Sequence, residues 1–350
     1  MPLEPWVTWR DLGMTRRGLW EDVDAVVTGV LGRPSLGIPS VRVGLVWALE
    51  YLGLRRYRDH VLVPRFMGRC ILTALTHQAL PVEVPTGATR VVITVDQFGV
   101  RHDLAAVAAE ARRRDWAVLE DSPCGIGADE APSPGTLARF VGLAKALPIV
   151  QGAIVVSDDV GFCEFVRAKR RRAPLWGAVA WTLMTLVRAK HGTTSHSVIA
   201  DLAYELYPHA GGGSARVRAN VLRVLRAFDE IAAVHAGRLR RLAQSLGDRV
   251  VLPDTTRVGY VVPYLCADRE AKAADIFRAH GFDPAPYHVD IARNLLAPRH
   301  VQARLIPLSV RISDARFARL VDALAALAPR EPSPLLASAS TQRPSVGFTD

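Results

Sequence analysis

Cysteine, lysine and long apolar runs are scarce in this chain of 350 residues. Its four cysteines, Cys70, Cys124, Cys163 and Cys266, lie far apart with no CxxC pair. That spacing argues against both a zinc centre and a disulfide framework, and leaves free thiols as the expectation. The longest apolar stretch, residues 173–187, falls short of the ~20 residues that a membrane-spanning helix needs. The opening MPLEPWVTWRDL has neither the charged start nor the apolar run of a secretory signal, so a cytoplasmic protein without a membrane partner is expected. The formal charge of +10 and pI near 9.9 permit an anionic partner. The arginine runs at 167–172 and 238–241, however, carry no interleaved aromatics and no nucleic-acid motif. They read as solvated helix faces, and nucleic acid is not the expected partner. Lysine is the sharpest shortage: 40 of the 44 basic residues are Arg, leaving Lys145, Lys169, Lys190 and Lys272.

What is present is a core-forming sequence, 49% apolar and 22% charged, long enough for two domains. From about residue 40 to 158, helix-period segments alternate with short β-branched runs, the pattern of an α/β domain with a mainly parallel sheet. Strands are expected at 61–63, 82–84, 91–95, 117–119 and 153–157, with helices at 43–52, 67–78 and 104–114. Loops after such strands gather along one edge, where these folds bind ligands. A single long helix is expected over 214–246, then strands at 249–252 and 258–264 and helices at 269–280 and 315–327. The domain plan is an N-terminal helical arm (1–39), a three-layer αβα large domain (40–213), the long linking helix (214–246), a smaller C-terminal α+β domain (247–329) and a disordered Pro/Ser-rich tail (330–350).

Two residues are candidates for chemistry. Asp121, in WAVLEDSPCGIGA, follows an apolar strand and precedes a Gly-rich turn. On its own it reads as a turn or capping carboxylate as readily as a ligand at a strand edge. Lys145, in RFVGLAKALPIVQGAIVVSDD, is a lone cation in an apolar stretch just before a strand. Either its head reaches water along an edge, or desolvation lowers its pKa toward the neutral amine of Schiff-base chemistry.

Taken together, the order and spacing of Phe98-Gly99, Asp103, Glu120-Asp121, Lys145, Gly152 and Ser157-Asp158 resemble the DegT/StrS-type sugar aminotransferases, over roughly residues 35–328. The resemblance implies the type I fold of pyridoxal 5'-phosphate enzymes and a homodimer. It also implies amino transfer to a keto-sugar, nucleotide-linked in the family's manner, with glutamate as donor. Lys145 would be the aldimine-forming lysine and proton shuttle, Asp121 the partner of the pyridine nitrogen, and the turn Ser40, Val41 and Arg42 the phosphate site at a helix start. Several positions depart from the family. Phe140 stands for a phosphate-binding serine and Cys124 for a glutamine. Asp96 replaces a histidine, and HAGGGS at 209–214 replaces a loop bearing Asn. The stacking aromatic falls at Gly68, with Phe66 and Met67 beside it, so one ring face is expected to be open or covered by these two. The same departures support a second reading, a non-catalytic binding or regulatory module on the same fold.

Overall fold

A computed structural model describes residues 20–327 except 100, 102–103, 128–129, 150, 172–174, 181, 184–201, 203–204, 207–214, 254–255, 266–268, 293–294, 297 and 311. Asp103, Cys266, the 209–214 loop, the first part of the expected arm and the 330–350 tail lie outside the described residues. In chain order the elements are helix α1 (Trp20–Leu31), β1 (Leu36–Ile38), α2 (Val41–Tyr51), β2 (His60–Leu62), α3 (Arg69–Leu75), β3 (Leu80–Val82), β4 (Thr89–Val95), α4 (Leu104–Arg114) and β5 (Ala117–Ser122). Next come β6 (Gly125–Gly127), β7 (Thr136–Gly142), α5 (Leu143–Ala146), β8 (Ala153–Val156), α6 (Val160–Arg170), α7 (Ala215–Arg226) and α8 (Phe228–Leu246). The C-terminal part holds β9 (Thr256–Gly259), β10 (Val261–Tyr264), α9 (Glu270–Ala279), β11 (Tyr287–Asp290), β12 (His300–Pro307) and α10 (Asp314–Ala325).

Local chemistry accounts for these elements. The β-branched run TRVVITV makes β4, buried on both faces in mid-sheet. Ser40, Asp159 and Ser313 cap α2, α6 and α10 by accepting a backbone N–H of the first turn. Arg112, Arg113 and Arg114 close α4, where cations suit the helix dipole.

The large sheet has seven strands in the order β1-β8-β7-β5-β4-β2-β3. Strands β3, β2, β4, β5 and β7 run parallel, whereas β8 is antiparallel to both its neighbours, β7 and β1. Val91, Ile93, Leu119, Phe140 and Val155 pack on one face with α2, α3 and α6. On the other face Val92 and Val118 meet α4, and Val141, Ile154 and Val156 meet α1 and α7. This is the expected three-layer arrangement. A small antiparallel sheet, β10-β12-β11, packs with α8, α9 and α10 around Val262, Phe277, Ile306, Phe317 and Leu320.

Three expectations are corrected, and one strand was not foreseen. The expected arm contributes β1 to the large sheet, since Leu36 pairs with Val155. The single helix over 214–246 is two helices, broken at Ala227 (φ −97°, ψ 16°). Asp229 and Glu230 in the first turn of α8 favour a fresh helix start there. The strand expected over 258–264 divides at Tyr260, its first half pairing with β6 and its second with β12. Strand β7, which no expectation covered, lies beside β5.

Candidate active site

The reversal at β8 positions the site. Because β7 and β8 are antiparallel neighbours, the chain between them turns at the edge where the parallel strands end, and α5 with Lys145 lies in that turn. Asp121 reaches the same edge from β5. Gly142, the last residue of β7, makes the approach possible: a Cβ there would lie 3.0 Å from the Pro123 backbone.

Lys145 and Asp121 line one cavity of about 370 Å³. Ser40, Val41, Arg42, Phe66, Met67, Gly68 and Cys124 line it too, so every candidate site residue is brought together. Glu120, by contrast, points to the opposite face of β5, where it bonds Arg139.

Asp121 is 1% exposed and its Oδ1 accepts no hydrogen bond from the described residues. Burial pushes its carboxyl up to about 7; Lys145, Arg139 and Arg42 oppose the rise and Asp96 adds to it. Lys145 Nζ lies 3.8 Å from Cys124 Sγ and opens to the cavity. Desolvation lowering its pKa was one of the two readings of this lysine. The pKa is raised instead: the electrostatic influence of the Cys124 side chain, with smaller ones from Cys70, Tyr260 and Asp121, outweighs desolvation and favours the ammonium.

Helix α2 points its N-terminus into the cavity, with Val43 and Gly44 N–H already bonded to Ser40 Oγ and O. Arg42 lines the cavity from the first turn. Phe140 lies elsewhere: fully buried, it packs against Ile38, Phe162 and α2, where a Cβ on Gly44 would sit 2.7 Å from its ring. The position that the resemblance aligns with a phosphate-binding serine therefore serves the core. Phe66 lines the cavity in a left-handed conformation (φ 62°), and its ring stacks on His288 at 4.1 Å and meets His300 edge-on at 5.0 Å. That face of Phe66 is already covered. Gly68 borders open space, since a Cβ there meets only Cys70 Sγ at 3.8 Å.

Sequence reasoning missed the far wall, which comes from Tyr287, Asp290 and His300 of the small sheet together with Gln97 and Gln151. No local motif marks these positions. It also missed Arg139, fully buried on β7 and paired with Asp96, Glu120 and Glu130. Among the described residues no His, Cys, Asp and Glu cluster could hold a metal, and no helix is long and apolar enough to cross a membrane.

No protein-family model and no curated protein matches the chain. Solved structures do. The chain is similar to the aminotransferase TlmJ from Streptoalloteichus hindustanus, with 18% identity, a TM-score of 0.58 and coverage of 93% of this chain and 92% of that one. DesV from S. venezuelae, solved in complex with a ketimine intermediate, gives 19% identity and a TM-score of 0.56 over 92% and 93%. A DegT DnrJ EryC1 StrS aminotransferase from Brucella abortus gives 13% and 0.58 over 91% and 93%. The fold is that of the DegT/StrS-type aminotransferases. Each match covers more than 90% of this chain, and with it the expected type I fold is established.

Proposed function

We propose that the chain is a pyridoxal 5'-phosphate-dependent aminotransferase acting on a keto-sugar. The observation that carries this reading is the buried Oδ1 of Asp121, which accepts no hydrogen bond from the described residues, in the cavity that also receives Lys145. A buried carboxylate oxygen without a donor is costly, and a protonated ring nitrogen is a donor of the right kind. The residues fit the group in other respects as well. The cavity volume falls within the range of small-molecule sites, and the α2 N-terminus with Arg42 suits a phosphate.

When bound, pyridoxal 5'-phosphate supplies a carbonyl that takes up amino groups and a ring that withdraws electrons from the adjacent carbon. Asp121 would hold the proton on the ring nitrogen, and the cost of its burial would fall once it is paired. Ser40, Val41 and Arg42 would hold the phosphate, with Cys124 in the wall beside Asp121. Lys145 Nζ would be the amine that serves the carbonyl and moves a proton at the substrate carbon. Among the described lysines only Lys145 lines the cavity.

The sugar reading is supported by neighbours such as DesI, solved in the presence of its TDP-sugar product. A nucleotide-linked keto-sugar, glutamate as donor, a homodimer and a cytoplasmic location complete the proposal. Asp121 and Lys145 sharing one open cavity favours catalysis over the non-catalytic alternative. Absorbance spectroscopy tests it: protein given the cofactor should show a visible band that borohydride bleaches, and Lys145→Ala should lose it. A colourless wild type that retains no cofactor after gel filtration would overturn the reading.

A further inference from the structure

A thiol and an amine stand in side-chain contact inside the cavity. Cys124 Sγ lies 3.8 Å from Lys145 Nζ. Cys124 is 3% exposed, so what reaches its sulfur comes through the cavity that both side chains line. Packed backbone sets their separation. The Cys124 carbonyl accepts the Tyr260 N–H at 2.8 Å, and Gly142 presses the end of β7 against Pro123.

We propose that Cys124 and Lys145 form a redox-sensitive covalent pair, in which a peroxide oxidises the sulfur and the lysine amine captures it as a sulfenamide. In the first step the Cys124 thiolate attacks a peroxide oxygen. The O–O bond breaks, the peroxide is reduced to hydroxide or water, and sulfur is oxidised by two electrons to the sulfenic acid. In the second step Lys145 Nζ attacks sulfur, an S–N bond forms and the S–O bond breaks. The departing hydroxide takes the amine proton and leaves as water. The sum of thiol, amine and hydrogen peroxide is the S–N bond and two waters. Because Lys145 is held toward the ammonium, its proton must leave before nitrogen attacks, so the second step is favoured as pH rises. Added thiol reverses the bond.

The link needs only these two side chains. Its consequence, withdrawal of Lys145 from the carbonyl it serves, rests on the function proposed above.

Peroxide treatment of the full chain, freed of carbonyl ligands, followed by intact mass and peptide mapping provides the test. The expected product is two hydrogens lighter, contains a cross-linked peptide joining Cys124 to Lys145, and returns to the starting mass with dithiothreitol. Cys124→Ser abolishes the cross-link, and Lys145→Arg leaves oxygenated Cys124 in its place. A disulfide between Cys70 and Cys124 has the same mass change, and finding it instead overturns the proposal. Oxygen added at Cys124 with Lys145 unmodified also overturns it. Wild-type mapping decides both outcomes even where a variant fails to fold. Pyridoxal 5'-phosphate added beforehand should protect Lys145 and suppress the cross-link. A cross-link undiminished by the cofactor supports the pair and counts against the proposed function.

Discussion

Glu120 and Asp121 are consecutive on β5, yet one belongs to a closed ion cluster and the other to an open cavity. On the Glu120 face, the Arg139 guanidinium is met by Asp96, Glu120 and Glu130. The carboxylates have further partners: Ser133 N–H donates to Glu120 at 2.7 Å, Gly127 N–H donates to Glu130, and Arg101 lies 4.0 Å from Asp96. On the Asp121 face, one carboxylate oxygen has no donor among the described residues, and the nearby cation, Lys145, is turned to the cavity. The carboxylates on both faces are buried, and burying charge is unfavourable unless it is paired and hydrogen-bonded. The closed cluster meets that condition internally, so its role is structural. The open one does not, which is the property of a carboxylate kept for a ligand.

Removing the centre of the closed cluster should have the largest effect. Arg139→Met leaves three buried carboxylates without their cation and should destabilise the protein by about 3–5 kcal/mol, read from urea unfolding. A loss below about 1 kcal/mol would erase the distinction drawn between the two faces.

Asp121→Asn probes the open side through pH. The folded-state pKa of Asp121, about 7, lies above that of an ordinary carboxylate, so the folded protein disfavours the charged form. Its contribution to stability is therefore full below about pH 4 and is lost as pH rises through about 7. Asparagine has no proton to lose. The ligand-free variant should match wild type near pH 4 and become the more stable of the two, by a few kcal/mol, toward pH 8, while losing cofactor retention. Parallel stability curves across that range would show that Asp121 is already paired.

The smallest effect is expected at Gly68. Its φ of −60° suits any residue, and the space beyond it is open. Gly68→Tyr should add about 0.5–1.5 kcal/mol of ring stacking, which is about two- to tenfold tighter cofactor binding by titration. Unchanged or weaker binding would place the ring face elsewhere in the cavity.

Much of the large domain was legible from residue pattern alone. The β-branched run of β4 and the helical spacing of α4, α9 and α10 declare themselves locally, because backbone preference and side-chain periodicity act over a few residues. Strand β7 escaped because Arg139 interrupts its apolar pattern, and the carboxylates that make that arginine tolerable are supplied by Asp96, Glu120 and Glu130 in other segments. The break at Ala227 carries no Gly or Pro to announce it. Strand β12 mixes Gln302 and Arg304 with apolar residues and is specified by its two antiparallel partners.

The sequence by itself determined the alternating large domain and, through a family-like spacing, singled out Asp121 and Lys145. Tertiary structure alone decided which way each faces. The period-two alternation of β5 separates Asp121 from Glu120, and the reversal at β8 returns Lys145 to the edge where Asp121 ends. The rest of the cavity wall, Tyr287, Asp290 and His300, arrives from the small sheet. A cavity is enclosed by contacts between distant segments, and no stretch of chain encodes such contacts locally.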